Sequence, residues 1–455
     1  MEVIVQAAGS TEAAQKLVQS LGGKVGTDLP IIHGFTATIP ARILPSLAAA
    51  ASVRWISEDA AVVHSSACTQ CLSTTNLLSL DTQDVGAPRV WNEGPGYLQG
   101  TGIGVAVVDS GVNPTQDLYT PSGYSRLVAN VAFNSGPNTS VTDMYGHGDH
   151  VAGIIAGNGG RSNGAYVGVA PSANIINVKV SDDQGASTAS KVVQGLQWVL
   201  ANKSTYNIRV VNLSLNSTLP DSYNVDPIDA AAEMLWFNGI VVVASAGNSG
   251  GVYAPANDPF VITVGAVDDR GSTNVASHSL AKYSVYGNTT DGFSKPDVVA
   301  PGSNLVSLSG NVNCVICVAH PGNVVNGPSG SPYLRMSGTS MSAPVVSGVV
   351  ALLLQSNPGL TPDQVKYRLK ATAHFLGTGT GAGEVDAFAA VHGATTATSN
   401  TGVAASHLLW TSSQPVIWNS ANWGSANWGS ANWGSANWGS ANWGSVNWGS
   451  DYWGS

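Results

Sequence analysis

Charge is scarce in this chain. Of its 455 residues only 10% are Asp, Glu, Lys or Arg, and acids outnumber bases 27 to 18, for a net charge of −9. No basic stripe exists, which excludes nucleic acid as a partner. Long apolar runs are missing too: no stretch approaches the ~18 residues that a membrane span requires. The opening residues, Met1-Glu2-Val3-Ile4-Val5, lack a basic region followed by an apolar core, so no signal peptide is expected in this sequence. Cysteine is rare, four in all, arranged as Cys68-Thr-Gln-Cys71 and Cys314-Val-Ile-Cys317. What is present instead is Gly, with 53 residues, and much Ser, Thr and Asn. The low-charge, Ser/Thr-rich makeup suits an extracellular protein, and the length exceeds one ordinary domain, so two or more units are expected.

Three segments carry candidate chemistry. In Ser337-Gly338-Thr339-Ser340-Met341-Ser342-Ala343-Pro344 a glycine-containing turn precedes apolar residues at helical spacing, Val346, Val349, Val350 and Leu353. Ser340 is thereby expected at a helix N-terminus, where free N–H groups favour developing negative charge. A serine nucleophile needs an adjacent base, and a hydroxyl at that place also serves as a plain helix cap. Gly104–Gly111 reads as a buried strand ending in Asp109 and a turn. Tyr145–Gly153 sets His147 at the start of another apolar segment.

The chain order Asp109, His147, Ser340 and the stretches VAVVDSGV, GHGDHVAG, VNLSL, ASAGNSG, KPDVVAPG and SGTSMSAP resemble those of the subtilases, subtilisin-like serine proteases. They run in the right order over residues 84–393. The resemblance implies that Ser340 is the nucleophile, His147 the base and Asp109 its orienting acid. It also implies that Asn248, by itself an ordinary turn residue, donates to the oxyanion. Ser214, Leu215 and Asn216 match the wall that binds substrate, although Asn216-Ser217 stands where many relatives carry Gly-Gly. Asp149 stands where Thr is usual, and a carboxylate there is expected to favour the charged form of His147. His150 reads as a buried structural residue. His33, His64, His278, His320, His374, His392 and His407 carry no motif and read as incidental. No cofactor is expected for catalysis. Structural calcium or zinc is left open, and the segment between Gly153 and Gly168 lacks the longer calcium loop of some relatives.

The expected architecture is α/β, a parallel sheet flanked by helices as in subtilisin-like enzymes, preceded by a small ferredoxin-like α+β propeptide domain. Residues 1–65 read as strands 2–7, 24–29, 34–39 and 53–56 with helices 11–21 and 41–51, the first capped by Thr11. The resemblance makes this unit an inhibitory propeptide cut near Ser65. In the catalytic domain, 66–395, strands are expected over 103–108, 175–180, 210–215, 240–244 and 261–264. Helices are expected over 147–156, 187–200, 226–238, 340–355 and 362–373, the last capped by Thr361.

Residues 396–420 read as a linker. From Ala421 come five identical Ala-Asn-Trp-Gly-Ser pentamers and two variants, which carry Trp423 to Trp453 at intervals of five. A flexible appendage or a tryptophan ladder for polysaccharide or cell-surface contact fits this composition, with a solenoid ranked last because Trp is bulky. The two Cys-x-x-Cys pairs are expected to converge, as two cross-disulfides or as a Cys₄ zinc site. Proteins or peptides as substrates, and the chain's own propeptide as inhibitor, follow from the resemblance. A display or binding protein in which the tail is the function is the competing reading.

Overall fold

The structure, a computed structural model, describes residues 1–60, 71–94, 96–134, 140–409 and 450–452. The chain divides into two compact units, Met1–Thr69 and Gln70–Ser455.

In the first unit four antiparallel strands, Glu2–Ala7, Lys24–Leu29, Gly34–Thr38 and Val53–Glu58, carry the helix Thr11–Ser20. The first and third strands are central, which is the ferredoxin-like order. Alternation along Glu2–Ala7 turns Val3, Val5 and Ala7 inward against Ala14, Val18 and Phe35. Two details differ from expectation. Ser10 rather than Thr11 precedes the first helix, and its side chain makes no capping bond. The segment expected as one helix over 41–51 is a 3₁₀ turn, Ala41–Ile43, followed by the short helix Leu44–Ala48. Pro45 accounts for that start, since it lacks an N–H and fits only the first turn.

The second unit is built on a parallel sheet. Its strands run in the order Leu127–Ala132, Asn174–Lys179, Gly104–Asp109, Ile208–Leu213, Val241–Ser245, Ile262–Asp268. Val298–Pro301 extends it in parallel, and Ser279–Leu280 pairs antiparallel at the edge. Gly104–Asp109 and Val241–Ser245 are buried at every position, as strands covered on both faces must be. Helices His147–Ala156, Ala189–Asn202, Pro227–Phe237, Thr339–Ser356 and Pro362–Thr372 provide that cover. Their starts are chemically marked. Asp226 accepts from the N–H groups of Ile228 and Asp229, and Thr361 and Gln364 form a reciprocal capping box.

The helix Thr339–Ser356 corrects one reading. At 18 residues it is long and apolar enough to cross a membrane by length and composition, but it is a core helix with all but a few positions buried. The expected linker is corrected at its start. Ala405 and Leu409 are buried, the Tyr223 hydroxyl donates to the Ala404 carbonyl (3.0 Å) and the Ser406 N–H to Glu233 Oε2 (2.7 Å). The chain therefore stays packed on the core beyond residue 395. Of the repeat tail only the backbone of Ser450–Tyr452 is described, and it pairs antiparallel with Ala186–Thr188. The remaining expectations for the tail concern residues outside the described ones.

Candidate active site

From Gly104–Asp109 the chain runs to Leu127–Ala132 and back to Asn174–Lys179 on one side, then crosses to Ile208–Leu213 on the other, so the direction of strand addition reverses at Gly104–Asp109. In such sheets the carboxyl ends at the switch point form a crevice. Asp109 ends that strand and Asn248 lies just beyond the strand Val241–Ser245. Asp109 Oδ1 lies 2.8 Å from His147 Nδ1, with both side chains buried. The Ser110 N–H also donates to that oxygen (2.7 Å).

His147 opens its helix, and two glycines let it approach. A Cβ on Gly148 would strike the carbonyl oxygen of Gly111, and Gly111 itself has φ +120°. Asp143 binds the helix start from below. It accepts from the N–H groups of Gly146 (2.7 Å) and Asp149 (2.8 Å) and from the Ser110 hydroxyl (2.9 Å), which in turn accepts from the Gly148 N–H. Burial disfavours the imidazolium of His147, but the charge and hydrogen bond of Asp109, with the charge of Asp143, outweigh it. Its pKa lies above that of an ordinary imidazole.

Asp149 is not part of that effect, which corrects the expectation from sequence. Its carboxylate faces the other way and accepts from Asn113 N–H and Nδ2 (both 2.7 Å) and from the Gly310 N–H (3.0 Å). Burial and the nearby Asp143 push its own pKa up to about 8. His150 is buried and its Nε2 lies 3.1 Å from the Leu305 carbonyl. Burial brings its pKa down to about 3, so it is a neutral structural residue.

Ser340 stands in the first turn of Thr339–Ser356, a helix that packs directly on the His147 helix. Its hydroxyl lies 3.3 Å from the Ser214 carbonyl. Pro344 occupies the position four residues on, where the N–H that would bond the Ser340 carbonyl is absent. That carbonyl accepts instead from the Ser214 hydroxyl (2.8 Å). Asn212 Nδ2 holds the Ser214 oxygen (2.9 Å), and the Ser347 hydroxyl holds Asn212 Oδ1 (2.9 Å). The nucleophile candidate is thus moored to the neighbouring strand by a chain of side-chain bonds.

Asn248 has its orientation set by the same helix. Its Oδ1 accepts from the N–H (2.9 Å) and hydroxyl (3.1 Å) of Thr339, which leaves the NH₂ as the group that can donate elsewhere. A Cβ on Gly338 would stand 3.2 Å from that nitrogen, so glycine keeps the space open. Ser340, Asn248, Ser214, Leu215 and Asn216 line one pocket of about 340 Å³, with Tyr253 on a further wall. Asn216, the departure from Gly-Gly, ties two strand ends by donating to the Ser245 carbonyl (2.8 Å).

The cysteines require a correction. Cys314 caps the short helix Val315–Ala319, whose first turn brings Cys317 back beside it, and the two sulfurs are bonded to each other. Neither sulfur can then cross-link to the other pair or serve as a thiolate ligand for zinc. Cys71 is disulfide-bonded as well, and Cys68 lies outside the described residues. The Cys314–Cys317 turn abuts the active-site helix. The N–H groups of Val315 and Ile316 donate to the carbonyls of Met144 and Tyr145, and Cys314 Sγ sits against Gly146.

Ser110, Asp143, Thr339, Asn212 and Ser347 have no signal in the sequence, nor does the bond of Ser214, expected there only as part of the pocket wall, to the Ser340 carbonyl. Only Pro344 gave a signal, as a proline four residues after a helix-opening serine. His278, read as incidental, is buried between Glu384 and the Ser272 carbonyl.

Residues 100–407 match the model of the Subtilase family, and residues 419–455 that of Pentapeptide repeats (8 copies). The chain is 38% identical over 304 residues to Serine protease AprX of Bacillus subtilis (strain 168), covering 65% of this chain and 66% of that one. It is 35% identical over 310 residues to Subtilisin Savinase of Lederbergia lenta, covering 67% and 96%. Subtilisin NAT of Bacillus subtilis subsp. natto is 30% identical over 375 residues, covering 81% and 82%.

Proposed function

The chain belongs to the subtilase family of serine endopeptidases, and on that premise we propose that it cleaves proteins through an acyl-enzyme on Ser340. In this reading His147 takes the proton of the Ser340 hydroxyl as that oxygen attacks the scissile carbonyl. It then gives the proton to the leaving amine, and a water repeats the sequence in reverse to free the acyl group. Asp109 keeps the imidazole in the tautomer with hydrogen on Nδ1 and stabilises the cation formed in transit. The Asn248 NH₂ donates to the tetrahedral oxyanion. The observation that carries the reading is the pairing of Asp109 and His147 at 2.8 Å, on a helix packed against the one that Ser340 opens. The Thr339 bonds to Asn248 Oδ1 support its part, because they turn the amide's donor end out before substrate arrives.

The ferredoxin-like unit is assigned as a propeptide that the enzyme removes from itself and that then inhibits it, and the mature protein as extracellular. The tryptophan-bearing repeats are assigned to contact with polysaccharide or cell surface.

A fluorophosphonate probe tests the central assignment. The purified chain should take up one label, on Ser340, and Ser340→Ala should lose both labelling and peptide hydrolysis and retain the first unit uncut. A Ser340→Ala protein that still processes itself would show that the nucleophile is elsewhere. Deletion of residues 410–455 should leave cleavage of small peptides intact and reduce retention on insoluble polysaccharide.

A further inference from the structure

Away from the active site, three segments distant in sequence bring acids and one imidazole together inside the catalytic unit. Asp84 ends the helix Leu80–Asp84, His278 follows the sheet strand Ile262–Asp268, and Glu384 bridges Val299 and His374. One ligand atom from each lies within 4.8 Å of the others. Asp84 is 8% exposed, and the His278 and Glu384 side chains are fully buried. We propose that Asp84, His278 and Glu384 form a structural site for a divalent transition-metal cation of the Zn²⁺ class, clamping the start of the catalytic unit to its end.

Unanswered polar atoms favour a ligand here. Among the described residues no N–H or hydroxyl reaches either carboxylate oxygen of Asp84, or Oε1 of Glu384; the group within hydrogen-bond reach of Asp84 is another carboxyl, that of Asp269, which can bond to it only by sharing a proton. A buried carboxylate without a donor is strongly disfavoured unless something cationic or a proton meets it. Its neighbours make matters worse, because the charges of Asp269, Glu384 and Asp81 all bear on Asp84. Asp269 bears on Glu384 as well, and the imidazoles of His278 and His374 are the groups that offset these acids there. Arg270, beside Asp269 in sequence, turns its guanidinium to the Ser279 hydroxyl (3.0 Å).

The histidine is set as a metal ligand would be. Its Nε2 lies 2.6 Å from the Ser272 carbonyl, which can only accept, so that nitrogen carries the hydrogen. Nδ1 lies 2.8 Å from Glu384 Oε2, so in the metal-free protein a proton sits between the two, and a bound cation would take that proton's place. An imidazole fixed by a backbone carbonyl on its far nitrogen is the usual support for a metal-binding histidine. One imidazole nitrogen among carboxylate oxygens suits Zn²⁺ and its neighbours, whereas Ca²⁺ takes oxygen only. The backbone around the site is already joined, since the Ala387 N–H donates to the Val85 carbonyl (2.7 Å). A bound ion would close a loop from residue 84 to residue 384, 300 positions long.

The test uses the full-length chain carrying Ser340→Ala to prevent self-digestion, stripped with EDTA and titrated with Zn²⁺. One equivalent should bind, remain after desalting and raise Tm by about 5 °C or more at saturating metal. Asp84→Asn should lose that equivalent and the Tm rise together. X-ray absorption of the loaded parent should report nitrogen and oxygen ligands without sulfur, which keeps the proposal open to refutation even if the variant folds poorly. Absence of saturable binding would overturn it. So would retention of the metal by Asp84→Asn, sulfur ligation, or a Tm rise with Ca²⁺ but not Zn²⁺. A gain of stability in Asp84→Asn together with no Zn²⁺ binding by the parent would identify a proton-sharing carboxyl cluster instead, which also overturns it.

Discussion

Glu233 offers a measurement of how this protein handles its buried acids. It lies on the helix Pro227–Phe237 with no exposure, near Asp226, Asp229 and Asp258, all buried. The Ser406 N–H donates to its Oε2, while among the described residues no N–H or hydroxyl reaches its Oε1 and the Asp258 carboxyl lies within hydrogen-bond reach, a contact that requires a shared proton. Burial first, and the charge of Asp258 second, raise its pKa well above the ordinary 4.5. Burial brings Asp258 up to about 7, against its backbone hydrogen bonds and the charges of Lys295 and Lys366, and burial brings Asp226 to about 6. The folded state therefore keeps a proton that the unfolded chain releases above about pH 4.5. A group raised in this way contributes its full stability below the unfolded pKa and loses it as pH rises toward the folded pKa.

One such proton is worth roughly 1.4 kcal/mol per pH unit, so the loss between pH 5 and pH 7 is on the order of 2–3 kcal/mol. Glu233→Gln keeps the side chain's shape and an oxygen for Ser406 but has no proton to release. In a Ser340→Ala background, urea unfolding at pH 5, 6 and 7 should give the Gln variant the shallower decline. By pH 7 it should have gained on the order of 2–3 kcal/mol on its parent relative to pH 5. Parallel declines would mean that Glu233 is ionised in the folded protein, and the reasoning would fail.

Three further outcomes are expected. Asn248→Ala should lower kcat by about 10²–10³-fold with little change in KM, because its hydrogen bond forms mainly at the transition state; a matching rise in KM would assign it to ground-state binding. Asp109→Asn should cost about 10⁴-fold in kcat and move the acidic limb of the kcat/KM profile to lower pH, since the Asp109 carboxylate helps raise His147. An unmoved limb would argue against that source. Gly146→Ala should destabilise the fold by about 1–3 kcal/mol, because Gly146 has φ +103° and a Cβ would meet Cys314 Sγ. Adding Cys314→Ala and Cys317→Ala should recover only the part due to that clash.

Much of this was legible in the sequence because buried parallel strands and core helices write continuous apolar runs. The helix expected over 147–156 is found at His147–Ala156, and the one over 340–355 at Thr339–Ser356. The orientation of Asp149 was also open to sequence reasoning. Two residues apart on a helix face opposite sides, so a carboxylate at that spacing from His147 points away from it. Cysteine pairing was not, since spacing alone cannot say which sulfurs meet. The answer depends on Cys314 capping a helix turn that carries Cys317 back to it. His278 escaped notice because loops have no period, and its partner Glu384 lies 106 residues away. The linker was misjudged on composition, which overlooked Ala405 and Leu409 as anchors.

Ser214 has two duties that pull on one another. It lines the pocket, and its hydroxyl holds the Ser340 carbonyl that Pro344 leaves without a helical partner. If the pocket takes a substrate side chain as proposed, a side chain that presses on Ser214 would also strain the strut formed by its bond to the Ser340 carbonyl. Fit and reactivity would then be linked, and a poor side chain would be penalised at the bond-making step after it had entered the pocket. Discrimination among peptides should then be read in how fast they turn over more than in how tightly they are held. Enlarging the pocket at Ser214 would trade selectivity for speed only if the strut were rebuilt at the same time.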